Sequence, residues 1–402
     1  MPGEYNWGDR LPVAQLKLVP ASGCEELTLK VDKIIAEYRN SENIPEALLA
    51  AGLLNKEYRA STNIINSFCP RFGTGEGKGM IADSVRGTDL YIFSDVTNHS
   101  ITYSINGMVN HMSPDDHFQN IKRLVSAAVS TAHRVTVIMP FLYESRQHKR
   151  TGRESLDCAL ALEELINMGV SSIITFDAHD PRVQNAIPLF EFGNFMPTYQ
   201  FVKTIFSSVP DMIIDKDHLI CISPDEGAMD RAVYLANNLR VDMGMFYKRR
   251  DYSQVINGRN PIVAHEYLGT SVEGKDVIIV DDMISSGESM LDTARELKER
   301  KARRVIVCAA FGLFTHGLEK FDEYYDKGYI DYICTTNLNY RPAEILSRKW
   351  YLEADMSRFL ATIIQCLNHD APIEEALSNT FKIQEFIVKH ADEGYEYFEK
   401  II

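Results

Sequence analysis

The 402-residue sequence has little of what marks several protein classes, and each absence excludes something. Its seven cysteines are scattered with no CxxC pair, which argues against a disulfide framework or a zinc site and suits a reducing compartment. No apolar run reaches the length that spans a bilayer. The opening stretch, MPGEYNWGDR, has neither the basic region nor the apolar core of a secretory signal. A cytoplasmic protein without membrane attachment is therefore expected. Basic residues are outnumbered, 42 against 56 acidic, for a formal charge of -14. That balance argues against nucleic acid as a partner, because phosphate backbones are bound by basic surfaces. No short-period repeat or low-complexity segment occurs.

What is present is a globular composition, 45% hydrophobic and 24% charged, over a length that suits two domains. Short β-branched runs at 89–94, 134–140, 172–177, 218–223, 276–281 and 304–310 read as buried strands. Amphipathic segments lie between them, as at 154–168, where Leu156, Leu160, Leu165 and Ile166 recur at helical spacing. Strands alternating with helices predict an α/β chain of mainly parallel sheets flanked by helices. Two such halves are expected to join near 190–205, around Pro188, Gly193 and Pro197. Residues 40–66 read as a helical insertion ahead of the first sheet. Residues 379–402 read as a terminal helix in which Phe386, Ile387, Tyr395 and Phe398 pack.

Polar residues collect just beyond these strands, where open α/β sheets bind their ligands. The run 173–176 leads into Asp177, Ala178 and His179. The run 219–222 leads into Ser223-Pro224-Asp225-Glu226-Gly227. The run 277–280 leads into Asp281 and Asp282 and a Ser285-Ser286-Gly287 loop, and 134–141 is soon followed by Arg146-Gln147-His148-Lys149-Arg150. A Ser/Gly loop entering a helix offers backbone N–H groups, hydroxyls and the positive end of the helix dipole to an anion. Two adjacent carboxylates before it can accept from sugar hydroxyls or touch a metal. The plainer reading is an Asp-rich helix start with Ser285 or Ser286 as N-cap.

The loop 281–289 resembles the ribose-phosphate loop of the type I phosphoribosyltransferase fold. From about Leu16 to about Ser378 the chain resembles one branch of that fold, the ribose-phosphate diphosphokinases that make phosphoribosyl pyrophosphate (PRPP). The motifs fall in the same order. RFGTGEGKG with Arg86 is similar to the family's Phe-x-Asp-Gly-Glu loop and the Val-Arg-Gly strand after it, with Thr74 where the Asp stands. Arg146 and Gln147 match an Arg-Gln-Asp segment, with His148 replacing the Asp. ITFDAH (174–179) matches the Asp-Leu-His strand end. SPDEGAMDR (223–231) resembles Ser-Pro-Asp-x-Gly-Gly, with Ala228 for the second Gly. FYKRRDYSQV (246–255) resembles the base of a mobile catalytic loop. In 281–289, Ser285 replaces an Asp and Glu288 a small residue.

The resemblance implies two phosphoribosyltransferase-like domains, 1–195 on the ATP side and 196–378 carrying the ribose 5-phosphate loop, with a tail at 379–402. It implies ATP contacts by Phe72, Thr74, Glu76, Arg146, Gln147 and His179. Asp225, Asp281, Asp282, Ser285, Ser286, Gly287 and Ser289 would hold ribose 5-phosphate. Mg²⁺ would lie near His179, Asp225 and Asp177, and Lys248, Arg250 and His179 would be catalytic. The family's homo-oligomers, dimer-based and often hexameric, share the ATP site between subunits. Two alternatives stand beside this reading. One is a PRPP-consuming transferase, which leaves Arg146, Gln147 and Asp177-Ala178-His179 without a role. The other is a catalytically weak regulatory or assembly homologue, favoured by Thr74, His148, Ala159, Ser285 and Glu288.

Overall fold

The computed structural model describes residues 10–41, 54, 56–250, 262–373 and 378–393, with the side chains of 248–250, 262–265 and 390–393 excepted. It divides into two compact units. The first comprises Met1–Met196, Asn337–Tyr340 and Asp355–Ser378; the second comprises Pro197–Thr336, Arg341–Ala354 and Asn379–Ile402. The chain therefore returns to the first unit after residue 336 and again after 354, which a reading of 196–378 as one continuous domain does not include.

The first unit is built on a five-stranded sheet in the order β1-β4-β7-β8-β9. Its strands are β1 (Gln15–Pro20), β4 (Thr88–Phe93), β7 (Arg134–Ile138), β8 (Ser172–Phe176) and β9 (Glu191–Phe195). All are parallel. Every residue of β4 and β8 is buried, which is why neither shows the alternation of a half-exposed strand, although β4 includes the buried Asp89. Two small hairpins leave this frame: β2 (Ser67–Phe68) with β3 (Met80–Ile81), and β5 (Thr102–Ile105) with β6 (Met108–His111).

The insertion at 40–66 was expected ahead of the first sheet. Instead it falls between β1 and β4, two neighbouring strands of that sheet. Residues 42–53 and 55 lie outside the described residues; the remainder begins with the end of helix Glu25–Ser41 and includes a 3₁₀ turn at Lys56–Arg59. Helix Asp157–Asn167 buries Cys158, Ala161, Leu162, Leu165 and Ile166. Leu160, expected on the inner face, is 52% exposed, because residues 158, 161, 162, 165 and 166 form the stripe that faces the sheet.

Helix Ser357–Asn368 is fastened to helix Glu25–Ser41 by a buried polar network. Arg39 donates to Gln365 Oε1 from Nε and Nη2, at 3.1 and 2.9 Å, and from Nη2 to Asn368 Oδ1 at 2.8 Å. Asn368 in turn donates to the buried Asp89 carboxylate at 2.8 Å, which Arg134 grips from Nε and Nη2. A buried ion pair is costly unless such hydrogen bonds fill its remaining positions.

The second unit carries a seven-stranded sheet in the order β12-β11-β10-β13-β14-β15-β16. Its strands are β10 (Leu219–Ser223), β11 (Asp242–Arg250), β12 (Ile262–Leu268), β13 (Asp276–Ile284), β14 (Arg304–Gly312), β15 (Tyr332–Thr336) and β16 (Tyr351–Ala354). Only β12 runs antiparallel. One face packs on Met290, Leu291, Ala294 and Leu297 of helix Glu288–Glu299, with Phe321 and Trp350. The other face packs on Phe201, Ile205, Leu235 and Leu239, with Ile383 and Phe386 of the terminal helix Asn379–Glu393. Phe386 thus packs as expected and Ile387 lies partly buried beside it, whereas Tyr395 and Phe398 lie outside the described residues.

The strand order reverses between β10 and β13. From β10 the chain steps outward to β11, and from β13 it steps the other way through β14, β15 and β16. A doubly wound sheet opens a crevice at such a switch point, beyond the carboxyl ends of the two strands.

Candidate functional site

In the second unit, both strand ends at the switch point carry the polar motifs. β10 and β13 pair only from Leu219↔Asp276 to Ile222↔Ile279. Past that point β13 continues, still paired with β14 from Asp281↔Ala309 to Ile284↔Gly312. Asp281 and Asp282 therefore lie inside the strand rather than after it, on the stretch that β10 has left uncovered. From β10 the chain turns through Asp225, whose Oδ1 accepts the Gly227 N–H at 2.9 Å. Ser223 Oγ closes the same turn on the Asp225 carbonyl at 2.6 Å.

Asp281 holds its proton well above the ordinary carboxyl range. Burial is the main cause, followed by the charges of Asp282 and Asp225. Asp225 beyond β10 and the Asp281–Asp282 pair within β13 thus act on one another, and a cation or a set of sugar hydroxyls would relieve their repulsion.

The loop after β13 enters helix Glu288–Glu299 through Gly287, the N-cap, at φ +80° and ψ -7°. Neither Ser285 nor Ser286 caps the helix, contrary to the plainer expectation, and no side chain caps it. The first-turn N–H groups, which lack intrahelical partners, stay available to an anion. Ser285 is held from behind, its carbonyl accepting the Thr315 N–H at 3.0 Å. Glu288 turns outward to Lys320, Nζ to Oε1 3.4 Å. Lys298, a cation of the same helix, pairs instead with Asp331 at 2.8 Å. Lys248 and Arg250 have backbone in β11, paired with β12 at Lys248↔His265 and Arg250↔Ile262. Their side chains, and the loop 251–261 that joins the two strands, lie outside the described residues.

In the first unit, β8 ends at Phe176 and the chain turns at once through Asp177, which is buried at φ +38°. A non-glycine residue there is strained, and such strain persists only where its surroundings hold it. Two contacts with β9 do so: Asp177 N–H donates to the Phe195 carbonyl at 2.9 Å, and Ala178 N–H donates to Asn194 Oδ1 at 3.0 Å. Asn194 belongs to no motif and was not legible as a site residue; only the strand contact shows its role.

The next residue, His179, is half-buried, with the His148 ring tilted beside it at 5.5 Å between centroids. His148 Nε2 lies 3.4 Å from Asp180 Oδ2. Asp180 is held well below the usual carboxylate range, chiefly by hydrogen bonds from Arg182, and it caps the 3₁₀ turn Pro181–Ala186. Arg146 is exposed, while Gln147 Nε2 donates to the Ser155 carbonyl at 2.8 Å, so in this structure Gln147 braces the loop.

Phe72, Thr74 and Glu76 sit at the tip of the β2–β3 hairpin. The Phe72 N–H donates to the Glu76 carbonyl at 2.8 Å, Phe72 is 57% exposed, and Thr74 Oγ1 donates to Glu76 Oε2 at 2.8 Å. Thr74 thus engages the carboxylate beside it. Among the described residues, no group of three or more His, Cys, Asp or Glu could by itself hold a metal ion, and no helix is long and apolar enough to cross a membrane.

A parallel sheet with a switch-point crevice, two carboxylates in the strand and an uncapped Gly turn into a helix defines a phosphoribosyltransferase-type chain. The family described as phosphoribosyl transferase domain matches residues 200–345, and that described as the N-terminal domain of ribose phosphate pyrophosphokinase matches residues 16–169. The ribose-phosphate pyrophosphokinase of Mycoplasma genitalium is 29% identical over 273 residues, 67% of this chain and 74% of the relative. That of Vibrio parahaemolyticus is 25% identical over 315 residues, 77% of this chain and 89% of the relative. The crystal structure of phosphoribosylpyrophosphate synthetase from Mycobacterium smegmatis shares the fold at 19% identity, with a TM-score of 0.67, covering 89% of this chain and all of that one. The chain belongs to the ribose-phosphate pyrophosphokinase family.

Proposed function

We propose that this chain transfers the pyrophosphoryl group of ATP to the 1-hydroxyl of ribose 5-phosphate, giving PRPP and AMP. The observation that carries the reading is the switch point of the second unit. There Asp225, Asp281 and Asp282 gather beside a helix whose entry, at Gly287, no side chain caps. A sugar phosphate matches both features, its hydroxyls facing carboxylates and its phosphate facing backbone N–H groups.

In this reading Asp281 and Asp282 accept from the ribose hydroxyls, and Ser285, Ser286, Gly287 and Ser289 cradle the 5-phosphate. Arg146, Gln147 and His179 serve the nucleotide phosphates, while Phe72, Thr74 and Glu76 serve the base. The 1-hydroxyl oxygen bonds to the β-phosphorus as the bond from that phosphorus to the α–β bridging oxygen breaks. AMP leaves with the bridging oxygen, and the hydroxyl proton is released. Charge spreads over phosphoryl oxygens, so positioning and cations outweigh a strong base. Lys248 and Arg250 would neutralise that charge.

The carboxylates Asp225, Asp281 and Asp282, where burial first and then the neighbouring charges raise Asp281, suit a hard divalent cation such as Mg²⁺. The family resemblance offers Asp225 in the second unit, and Asp177 with His179 in the first, as residues that would hold Mg²⁺ beside substrate phosphates rather than in an all-protein cage. When bound, the ion neutralises phosphate charge. We further infer a cytoplasmic homo-oligomer that shares the nucleotide site between subunits.

Incubation with ATP, Mg²⁺ and ribose 5-phosphate should yield AMP and PRPP in equal amounts. Lys248→Ala should lower turnover by ~10²–10³, the loss typical of one transition-state donor. Absence of both products from the wild-type protein would favour a regulatory homologue instead.

A further inference from the structure

The structure assigns a task to the β5–β6 hairpin, 102–111: it positions the tip of the β2–β3 hairpin, and with it Phe72 and Glu76. This rests on the proposed role of those two residues at the nucleotide base. A two-stranded hairpin alone is marginal in water, so its order has to come from what it packs against. Burial alternates along β5, with Tyr103 and Ile105 half-buried and Thr102 and Ser104 exposed. The inner face of the hairpin is thus the Tyr103 and Ile105 face.

That face meets the β2–β3 tip at two points, and a carboxylate of the neighbouring helix joins them. Gly75 sits on Ile105 so closely that a Cβ there would lie 2.7 Å from Ile105 Cδ1, and its φ of +91° is one that a side chain would resist. The Arg71 guanidinium lies 4.7 Å from the Tyr103 ring centroid. The same arginine donates to Asp116 Oδ1 at 2.8 Å and to the Gly75 carbonyl at 3.3 Å. Tyr103 OH also donates to Asp116, to Oδ2 at 3.3 Å, so one carboxylate ties both hairpins together. Asp116 is itself anchored by the capping box it forms with Ser113 at the start of helix Pro114–Ala128. The helix fixes Asp116, Asp116 fixes Arg71 and Tyr103, and these hold the turn 72–76. Phe72 and Glu76, both exposed, are then presented on a braced turn instead of a free one.

Tyr103 and Ile105 are accordingly positioning residues: they act through residues 71–76 and not on a ligand. The full-length Ile105→Ala and Tyr103→Leu variants test this against Ser104→Ala, on the outward face. Hydrogen–deuterium exchange of the segment 72–77 should quicken roughly tenfold or more in the first two, as lost packing and cation–π contacts allow. KM for ATP should rise roughly tenfold while kcat stays within about twofold and KM for ribose 5-phosphate is unchanged. Preference for ATP over GTP should fall with it, and Ser104→Ala should behave as wild type. A purely structural role would instead lower the melting temperature and leave base discrimination intact. Unchanged exchange at 72–77, or retained discrimination between ATP and GTP, overturns the proposal. If the wild-type protein forms no AMP and PRPP, the reaction reading fails, and exchange at 72–77 still decides whether the hairpin braces the tip.

Discussion

Gly287 lies hard against the ring of Phe321: a Cβ on the glycine would sit 2.3 Å from Phe321 Cζ. The same residue holds φ +80° as the N-cap of helix Glu288–Glu299. Two separate penalties therefore fall on any side chain at this turn, one steric and one conformational. Gly287→Ala is expected to displace the 285–289 loop. KM for ribose 5-phosphate should rise at least tenfold, about 1.4 kcal/mol, and stability should fall by more than ~1 kcal/mol. Steady-state kinetics and urea melts give the two numbers. Phe321→Ala makes room for the Cβ but leaves φ unchanged, so the double variant should stay impaired in binding. A Gly287→Ala protein with wild-type KM would remove the phosphate from this loop.

Asp281 carries a cost that folding alone does not require. Its carboxyl is raised by burial first and then by the charges of Asp282 and Asp225. A carboxyl raised on folding contributes stability at low pH, and that contribution is lost as pH climbs from the unfolded value through the folded one. At neutral pH the site is therefore strained electrostatically. Asp281→Asn keeps the shape and removes the charge. It should raise Tm by roughly 2–4 °C, about 1 kcal/mol for a domain of this size, while turnover is lost. A fall in Tm would mean that the carboxylate is satisfied by its surroundings and not crowded by them.

The difference between what was and was not legible in the sequence follows from how each feature is encoded. Buried parallel strands such as β4 and β8 are written as local apolar runs, and the motifs at their ends follow directly in the chain. The Asp225 turn and the Asp281–Asp282 pair were legible for that reason. Asn194 was not, because its task is to accept the Ala178 N–H from a neighbouring strand, 16 residues away in sequence. Nor was the return of helix Ser357–Asn368 to the first unit, which depends on Arg39 meeting Gln365 across 326 residues. Leu160 shows the limit within one helix: its spacing fits a helix, but the burial of residues 158, 161, 162 and 165 fixes a stripe that leaves it out.

Glu288 looked like a negative charge placed where a phosphate should bind. Its carboxylate instead reaches Lys320 at 3.4 Å, with both side chains about half exposed or more. An exposed pair of this kind is worth ~0–1 kcal/mol and is screened by salt. The carboxylate also gains a little from the positive end of its own helix. Glu288→Gln should therefore change KM for ribose 5-phosphate less than about threefold, under ~0.7 kcal/mol, and shift stability by no more than ~0.5 kcal/mol. Kinetics at 20 mM and 500 mM salt, roughly bracketing strong and weak screening, check this. A tenfold tightening in Glu288→Gln would mean that the residue opposes the phosphate after all.

His369 should make the first unit acid-labile. Its ring is 2% exposed, with Nε2 3.0 Å from Tyr58 OH and Nδ1 2.9 Å from the Gln365 carbonyl. Burial pushes its pKa down to about 4, and the nearby Arg39 charge adds to this, against the opposing pull of the Gln365 carbonyl and Asp89. The unfolded chain takes up the proton first, near the ordinary value of 6.5. The neutral ring thus contributes fully above that pH, and its contribution drains away as pH falls toward 4. The gap corresponds to about 3 kcal/mol in all, of which about 2 kcal/mol is gone by pH 5. Urea melts from pH 8 to pH 5, a window set by those two values, should show this loss in the wild-type protein. His369→Gln, whose amide oxygen can still accept from Tyr58, should lose much less over the same range. Equal slopes in the two proteins between pH 6.5 and pH 5 would assign the acid sensitivity to another group.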